Sequence, residues 1–218
     1  MRSALVCLVL TAVLASAGCR GCRDRDEEVP PPPPATAASP DSAPPTVRLV
    51  GPLSPEDAQA LATMNARLEQ YVEMHVGLEG TLPELPDDAT PQQIDTNQRA
   101  FERLIRQKRA SAKPGDIFTA EARPVILRLL ADVFAGPGGQ QLKASIMDEN
   151  PLDLNGYKLV VNARYPDNVP LTTVPPDVLQ TLPKLTEDLE YRFVGDALIL
   201  LDTHAHTIAD YIENALPS

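Results

Sequence analysis

The chain has 218 residues, a formal net charge of −11 and few aromatic residues (Phe 4, Tyr 5, Trp 0). A protein this acidic lacks the basic footprint that nucleic-acid phosphates demand, and it offers no aromatic platform for stacking bases or sugars. Its three cysteines, Cys7, Cys19 and Cys22, all precede residue 23, which excludes a disulfide framework or a thiolate metal site from the rest of the chain.

The chain begins with a charged Met1-Arg2 pair and an apolar run from Ala4 to Ala15 that closes in small residues. That order is the layout of a secretory signal, here residues 1–18. The run is shorter than the roughly 20 residues a permanent transmembrane helix needs. Two processing routes fit. Ala15-Ser16-Ala17 is an A-x-A site for the ordinary signal peptidase. Ser16-Ala17-Gly18-Cys19 resembles a bacterial lipobox, with Ser16 where that family usually carries Leu. The resemblance implies a lipidated Cys19 as the first mature residue and a membrane as partner. Arg20 rather than Asp follows, which by analogy with lipoprotein sorting implies a periplasmic protein anchored to the outer membrane. Cys19-Arg-Gly-Cys22 has redox-motif spacing, but no strand precedes it to place it at a helix N-terminus, where its pKa would fall.

Residues 19–52 form a linker: the charged RGCRDRDEE, then PPPPPATAASPDSAPP. Proline fixes φ and removes the backbone donor, so this segment predicts an extended, coreless tether at roughly 3 Å per residue. A single α+β domain is expected over 53–218. Ser54-Pro55-Glu56-Asp57 gives an N-cap, a first-turn proline and early acids. The helix that follows puts Leu61, Met64, Leu68, Tyr71, His75 and Leu78 on one stripe, with Gly77 and Gly80 weakening its end. Thr90-Pro91-Gln92-Gln93 opens a second helix with a capping-box glutamine, buried through Ile94, Phe101, Leu104 and Ile105. A third runs from Ala120, capped by Thr119, with Val125, Ile126, Leu129, Leu130, Val133 and Phe134 inward and a kink at Pro124. Gly136-Pro137-Gly138-Gly139 ends it, and a short fourth segment spans Gln140–Asp148 with Leu142 and Ile146.

After Pro151 the text turns β-rich. Tyr157–Asn162 reads as a strand behind the turn dipeptide Asn155-Gly156, and a single helical turn is expected over Pro176–Thr181. Leu189–Val194, Gly195-Asp196 and Ala197–Asp202 read as a hairpin, with Thr207–Ile212 returning antiparallel. A helical half of three to four helices followed by a small antiparallel β-meander is the α+β pattern, not the alternation of a parallel sheet. KPGDIFTAEARPVILRLL with LPKLTEDLEYRFVGDALILLDTHAHTIADYI resembles a group of uncharacterised exported proteins of Gram-negative bacteria, over most of residues 55–216. The resemblance implies export and a shared fold and carries over no activity, cofactor or site. The closing hairpin is also similar to small C-terminal hairpins of several periplasmic domains, an architectural likeness alone.

Asp202-Thr-His-Ala-His206 resembles the first metal motif of the amidohydrolase barrels, in which His204 and His206 would bind metal. That family needs a barrel of about 250 residues after the motif, whereas twelve residues follow His206, and His75 is the one further histidine. A smaller metal site remains open: in an extended segment Asp202, His204 and His206 share a face, and imidazole with carboxylate suits Zn, Ni or Cu. The competing reading is a polar turn, because Thr203–His206 is where the chain should reverse. His75 reads as a satisfied, partly buried histidine. On the second helix Arg99, Arg103, Arg106, Arg109 and Lys113 lie within about a third of the circumference, opposite the apolar face. They read as a solvated face paired with neighbours such as Glu102, or as a contact for anionic lipid or an acidic envelope protein. No nucleophile elbow, phosphate loop or paired glycosidase carboxylates stand out, so a non-enzymatic binding or structural module without cofactor is expected.

Overall fold

The computed structural model describes residues 53–149 and 158–217. The expected signal sequence, Cys19, the linker and the Asn155-Gly156 turn lie outside these residues. Helix α1 (Pro55–Glu79) starts where the Ser54 hydroxyl accepts from the Asp57 N–H at 3.1 Å, and Glu56 and Asp57 meet its positive end. It buries Ala60, Met64, Leu68, Tyr71 and His75, runs through Gly77 and stops at Gly80. Helix α2 (Pro91–Lys108) carries the expected capping box: Thr90 Oγ1 accepts from the Gln93 N–H, and Gln93 Oε1 accepts from the Thr90 N–H at 2.8 Å.

The buried face of α2 is narrower than its pattern predicts. Phe101 and Ile105 are buried, Leu104 is half-buried, and Ile94 is 42% exposed. The whole first turn, residues 91–94, lies in solvent, so an apolar side chain there meets nothing. Helix α3 (Ala122–Ala135) begins two residues later than expected, with Thr119 Oγ1 accepting from the Ala122 N–H at 3.2 Å. Pro124 is therefore its third residue, where no intrahelical bond uses the missing N–H and the expected kink loses its cause. Helix α4 (Gly139–Glu149) follows at once. A Cβ on Gly139 would sit 2.1 Å from the Phe134 carbonyl oxygen, so only glycine permits this tight corner. Pro176–Leu179 forms the expected single turn, α5.

Strands β1 (Leu189–Val194), β2 (Ala197–Asp202) and β3 (Thr207–Ile212) form an antiparallel sheet in the order β1-β2-β3, with the boundaries the sequence predicts. One face, through Tyr191, Phe193, Leu198, Leu200 and Ile212, packs on Met64 and Leu68 of α1, Ile126, Leu130 and Phe134 of α3, Ile146 of α4 and Val178 of α5. The other face, through Val194, Ile199, Leu201 and Ile208, is covered by Leu159, Tyr165 and Val169. Both faces of β2 are thus buried, which is why ALILL shows no polar alternation. A bulge interrupts the β2–β3 ladder: Leu200 faces Asp210 and Leu201 faces Ile208, leaving Ala209 unpaired.

The strand expected over Tyr157–Asn162 is a correction. Tyr157 lies outside the described residues, and 158–162 form no strand. Asn162 takes a left-handed φ of 62°, and its side chain exchanges hydrogen bonds with Arg109: Arg109 Nη1 donates to Oδ1 at 2.7 Å and Nδ2 donates to the Arg109 carbonyl at 2.8 Å. The chain then meets the free edge of β3 irregularly, through Asn162 N–H to Ile208 O, Ile208 N–H to Ala163 O and Tyr165 N–H to His206 O. Of the apolar residues here Leu159 packs against the sheet face, Val161 is buried and Val160 is exposed.

Candidate functional site

The C-terminal turn of α1, the end of β2 and the β2–β3 turn meet around one histidine. Asp202 closes β2 and is completely buried. Its Oδ2 accepts from the Tyr71 hydroxyl at 2.8 Å and lies 2.8 Å from His75 Nδ1, while Oδ1 accepts from the Ala205 N–H at 2.8 Å. Tyr71 and His75 reach it together because residues four apart share a helix face. A carboxylate oxygen accepts only, so this contact places a proton on Nδ1 and turns Nε2 the other way.

His75 is 1% exposed, and its Nε2 has no hydrogen-bond partner. The groups nearest Nε2 are anionic: Glu79 Oε2 at 3.8 Å and Asp188 Oδ1 at 3.8 Å, both beyond hydrogen-bonding distance. Glu79 also lies 2.9 Å from His204 Nδ1 through its other oxygen. His75, Glu79 and His204 each offer one ligand atom, and the three atoms lie within 4.8 Å of one another. Phe101 of α2 packs against both imidazoles, edge-on to His75 at 4.8 Å and to His204 at 5.0 Å, while the imidazoles themselves stand 6.1 Å apart. Burial depresses the His75 pKa, but the hydrogen bond and charge of Asp202, joined by Asp188 and Glu79, outweigh it and hold the group above its usual value. Burial, then the charge and hydrogen bond of Asp202, push the Tyr71 hydroxyl well above its ordinary range, so it remains a donor.

The residues singled out in the sequence divide. Asp202, His204 and His206 do not form one ligand set. Asp202 is saturated by its three partners, His204 turns to Glu79, and His206 turns to Asp167 at 3.6 Å and to the Tyr165 ring. The reversal at Thr203–His206, with His206 at φ 54°, breaks the period-two alternation that would have aligned them. His75 is corrected in the opposite sense: it is buried, but only one of its nitrogens is satisfied. Glu79, Asp188 and Tyr71 were missed as site residues. The visible signal was the i, i+4 series Tyr71, His75, Glu79, which places three polar groups along one helix face that is buried at Tyr71 and His75 and emerges at Glu79.

The basic stripe of α2 is not a continuous cationic face. Arg99 pairs with Asp95 at 2.9 Å and approaches Asp167 at 4.0 Å, and Arg106 pairs with Glu102 at 3.0 Å. Arg109 is drawn inward, donating to the Ala209 carbonyl freed by the bulge at 2.9 Å and covering the Tyr71 ring at 4.9 Å. Arg103 and Lys113 stay exposed. No helix among the described residues is long and apolar enough to cross a membrane. Comparison of the chain with protein-family models, with curated proteins and with solved structures gives no match, so the site is interpreted from its own geometry.

Proposed function

We propose that the chain is an exported, membrane-tethered, non-enzymatic module whose folded domain holds a cation at the C-terminal end of α1. The observation that carries the binding reading is His75 Nε2, a buried nitrogen without a hydrogen-bond partner, facing the carboxylates of Glu79 and Asp188 at 3.8 Å. Two carboxylates turned towards one buried nitrogen call for positive charge between them, and at 3.8 Å a proton on Nε2 completes a hydrogen bond to neither. The helix end agrees. The last turn of α1 contains no basic residue, so its carbonyls have no cationic side chain to complement them. The tether reading rests on the signal layout, Cys19 and the Pro-rich linker. The saturated Asp202 gives no support to a hydrolase built on Asp202, His204 and His206.

Two measurements test this function. Metabolic palmitate labelling should mark the wild type and not Cys19→Ser; an unlabelled wild type would support release at Ala17 and remove the tether. Thermal unfolding of the chelator-treated full chain should be followed with divalent metal salts and, separately, with organic ammonium ions. At least one cation class should raise the midpoint, and His75→Gln should abolish the rise. If neither class moves it, the cation-binding reading fails.

A further inference from the structure

We infer that the bound cation is a divalent transition-metal ion of the zinc class, held by His75 Nε2, Glu79 and His204, with Asp202 as a positioning residue behind His75. This inference rests on the cation-binding reading above and names its ligand.

The donor set selects the ion. Two imidazoles with carboxylates suit zinc and its first-row neighbours, whereas calcium and magnesium take oxygen alone. Spacing agrees with that choice. Tetrahedral ligands about 2.0–2.1 Å from one ion stand roughly 3.3–3.5 Å from each other. Across this site His204 Nδ1 to Glu79 Oε1 is 2.9 Å and His75 Nε2 to Glu79 Oε2 is 3.8 Å, with Asp188 Oδ1 also 3.8 Å from His75 Nε2; the three ligand atoms stay within 4.8 Å of one another, so modest side-chain movement brings them to the required spacing. The 3.8 Å gaps are too long for hydrogen bonds and too polar to stay unfilled; they suit groups spread around a shared centre.

The surroundings are those of a metal-bound histidine. A ligating imidazole commonly donates its other N–H to a carboxylate, which fixes the tautomer and raises ligand basicity. Here the carboxylate is Asp202, 2.8 Å from Nδ1, itself held by Tyr71 and the Ala205 N–H. Phe101 packs against both rings, so less order is left to impose when the ion enters. His204, Glu79 and Asp188 keep partial exposure, with side chains 32%, 41% and 39% accessible, which gives the ion a path to the buried nitrogen.

The test uses the full chain, purified in detergent, stripped with chelator and dialysed against zinc chloride. Elemental analysis should find one zinc per chain, and cobalt substitution should give the visible absorption of a tetrahedral nitrogen–oxygen site. His204→Ala and Glu79→Gln, both at partly exposed positions, should keep the fold by circular dichroism and lose the stoichiometric ion. Asp202→Asn should weaken zinc about 10–100-fold, with nitrogen NMR showing the His75 proton moved from Nδ1 to Nε2, which a merely structural role would not produce. His206→Ala should keep full stoichiometry. Substoichiometric zinc in the wild type, retention of the ion by both His204→Ala and Glu79→Gln, or its loss in His206→Ala would overturn the assignment. Stabilisation by organic ammonium ions without zinc binding would sink this inference and leave the cation-binding reading standing.

Discussion

Asp202 and Asp210 lie on neighbouring strands of one sheet, and both are completely buried, yet they do different work. Asp210 follows the β3 bulge, which turns it towards the loop before α3. There it accepts from the N–H groups of Gly115 (3.0 Å), Ile117 (2.8 Å) and Phe118 (2.8 Å), with its own neighbour Tyr211 at 2.8 Å. Backbone donors have no other chemistry to perform, so Asp210 is structural: it ties a loop to the sheet and is used up doing so. Asp202 instead accepts from two titratable side chains, Tyr71 and His75, besides one backbone N–H. It passes its charge on, through His75, to an atom that nothing else satisfies. The lesson is that burial of a carboxylate does not mark a site; the nature of its donors does.

The sharpest way to break this comparison is to remove the structural carboxylate. Asp210→Ala leaves several buried N–H groups unmade at about 1–3 kcal/mol each, partly offset by entering water, so a loss of about 3–5 kcal/mol is expected in denaturant titration. A loss comparable to an exposed substitution would erase the distinction. Asp202→Asn should cost less, about 1–3 kcal/mol, because Tyr71 and His75 can reverse their donor and acceptor roles against an amide as backbone groups cannot. Equal losses for the two variants would show that Asp202 is structural too. In the chelator-treated protein His204→Ala should change stability by no more than about 0.5 kcal/mol, since its side chain is partly exposed, and with zinc added it should lack the rise in midpoint that the wild type gains; this separates binding from folding within one site.

A surface aspartate sets the baseline. Asp57 lies 2.6 Å from Arg128, whose hydrogen bond lowers the Asp57 pKa below its ordinary 3.8, against an opposing but smaller effect of burial. A depressed carboxyl pKa contributes stability that is present above the unfolded value and lost as pH falls through the folded one. Asp57→Asn should therefore lower the unfolding midpoint slightly at neutral pH and flatten the acid limb, the two proteins converging below about pH 4, the smallest effect of the set. A difference that persists at acid pH would mean that Asp57 supports the N-terminus of α1 by more than its charge.

Much of the fold was legible because its signals are local. Ser54 and Thr90 cap helices through atoms three residues away, and Gly195 with φ 61° turns a hairpin whose strands were bounded residue for residue. Errors arose where the neighbour was distant. Ile94 has the right period but nothing to pack on, and Leu159 and Val161 have β-favouring side chains on a segment that Arg109 and Asn162 hold in a turn. In Asp-Thr-His-Ala-His the chain reverses, so Asp202 meets His75, His204 meets Glu79 and His206 meets Asp167, all on other elements.

The sequence alone therefore determined the helices α1–α5, the three strands of the sheet and most of their apolar faces, while export and a tether remain expectations from its first 52 residues. The tertiary structure alone decided the site. His75 and Tyr71 meet Asp202 across separations of 127 and 131 residues, and Glu79 meets His204 across the same packing of α1 against the β2–β3 turn. Periodicity records that a side chain turns inward, because each residue's direction follows from its own backbone; it does not record which inward side chain of another element lies opposite. That choice depends on how the helix seats on the sheet and where the chain reverses after Asp202, and both are set by the packed core as a whole.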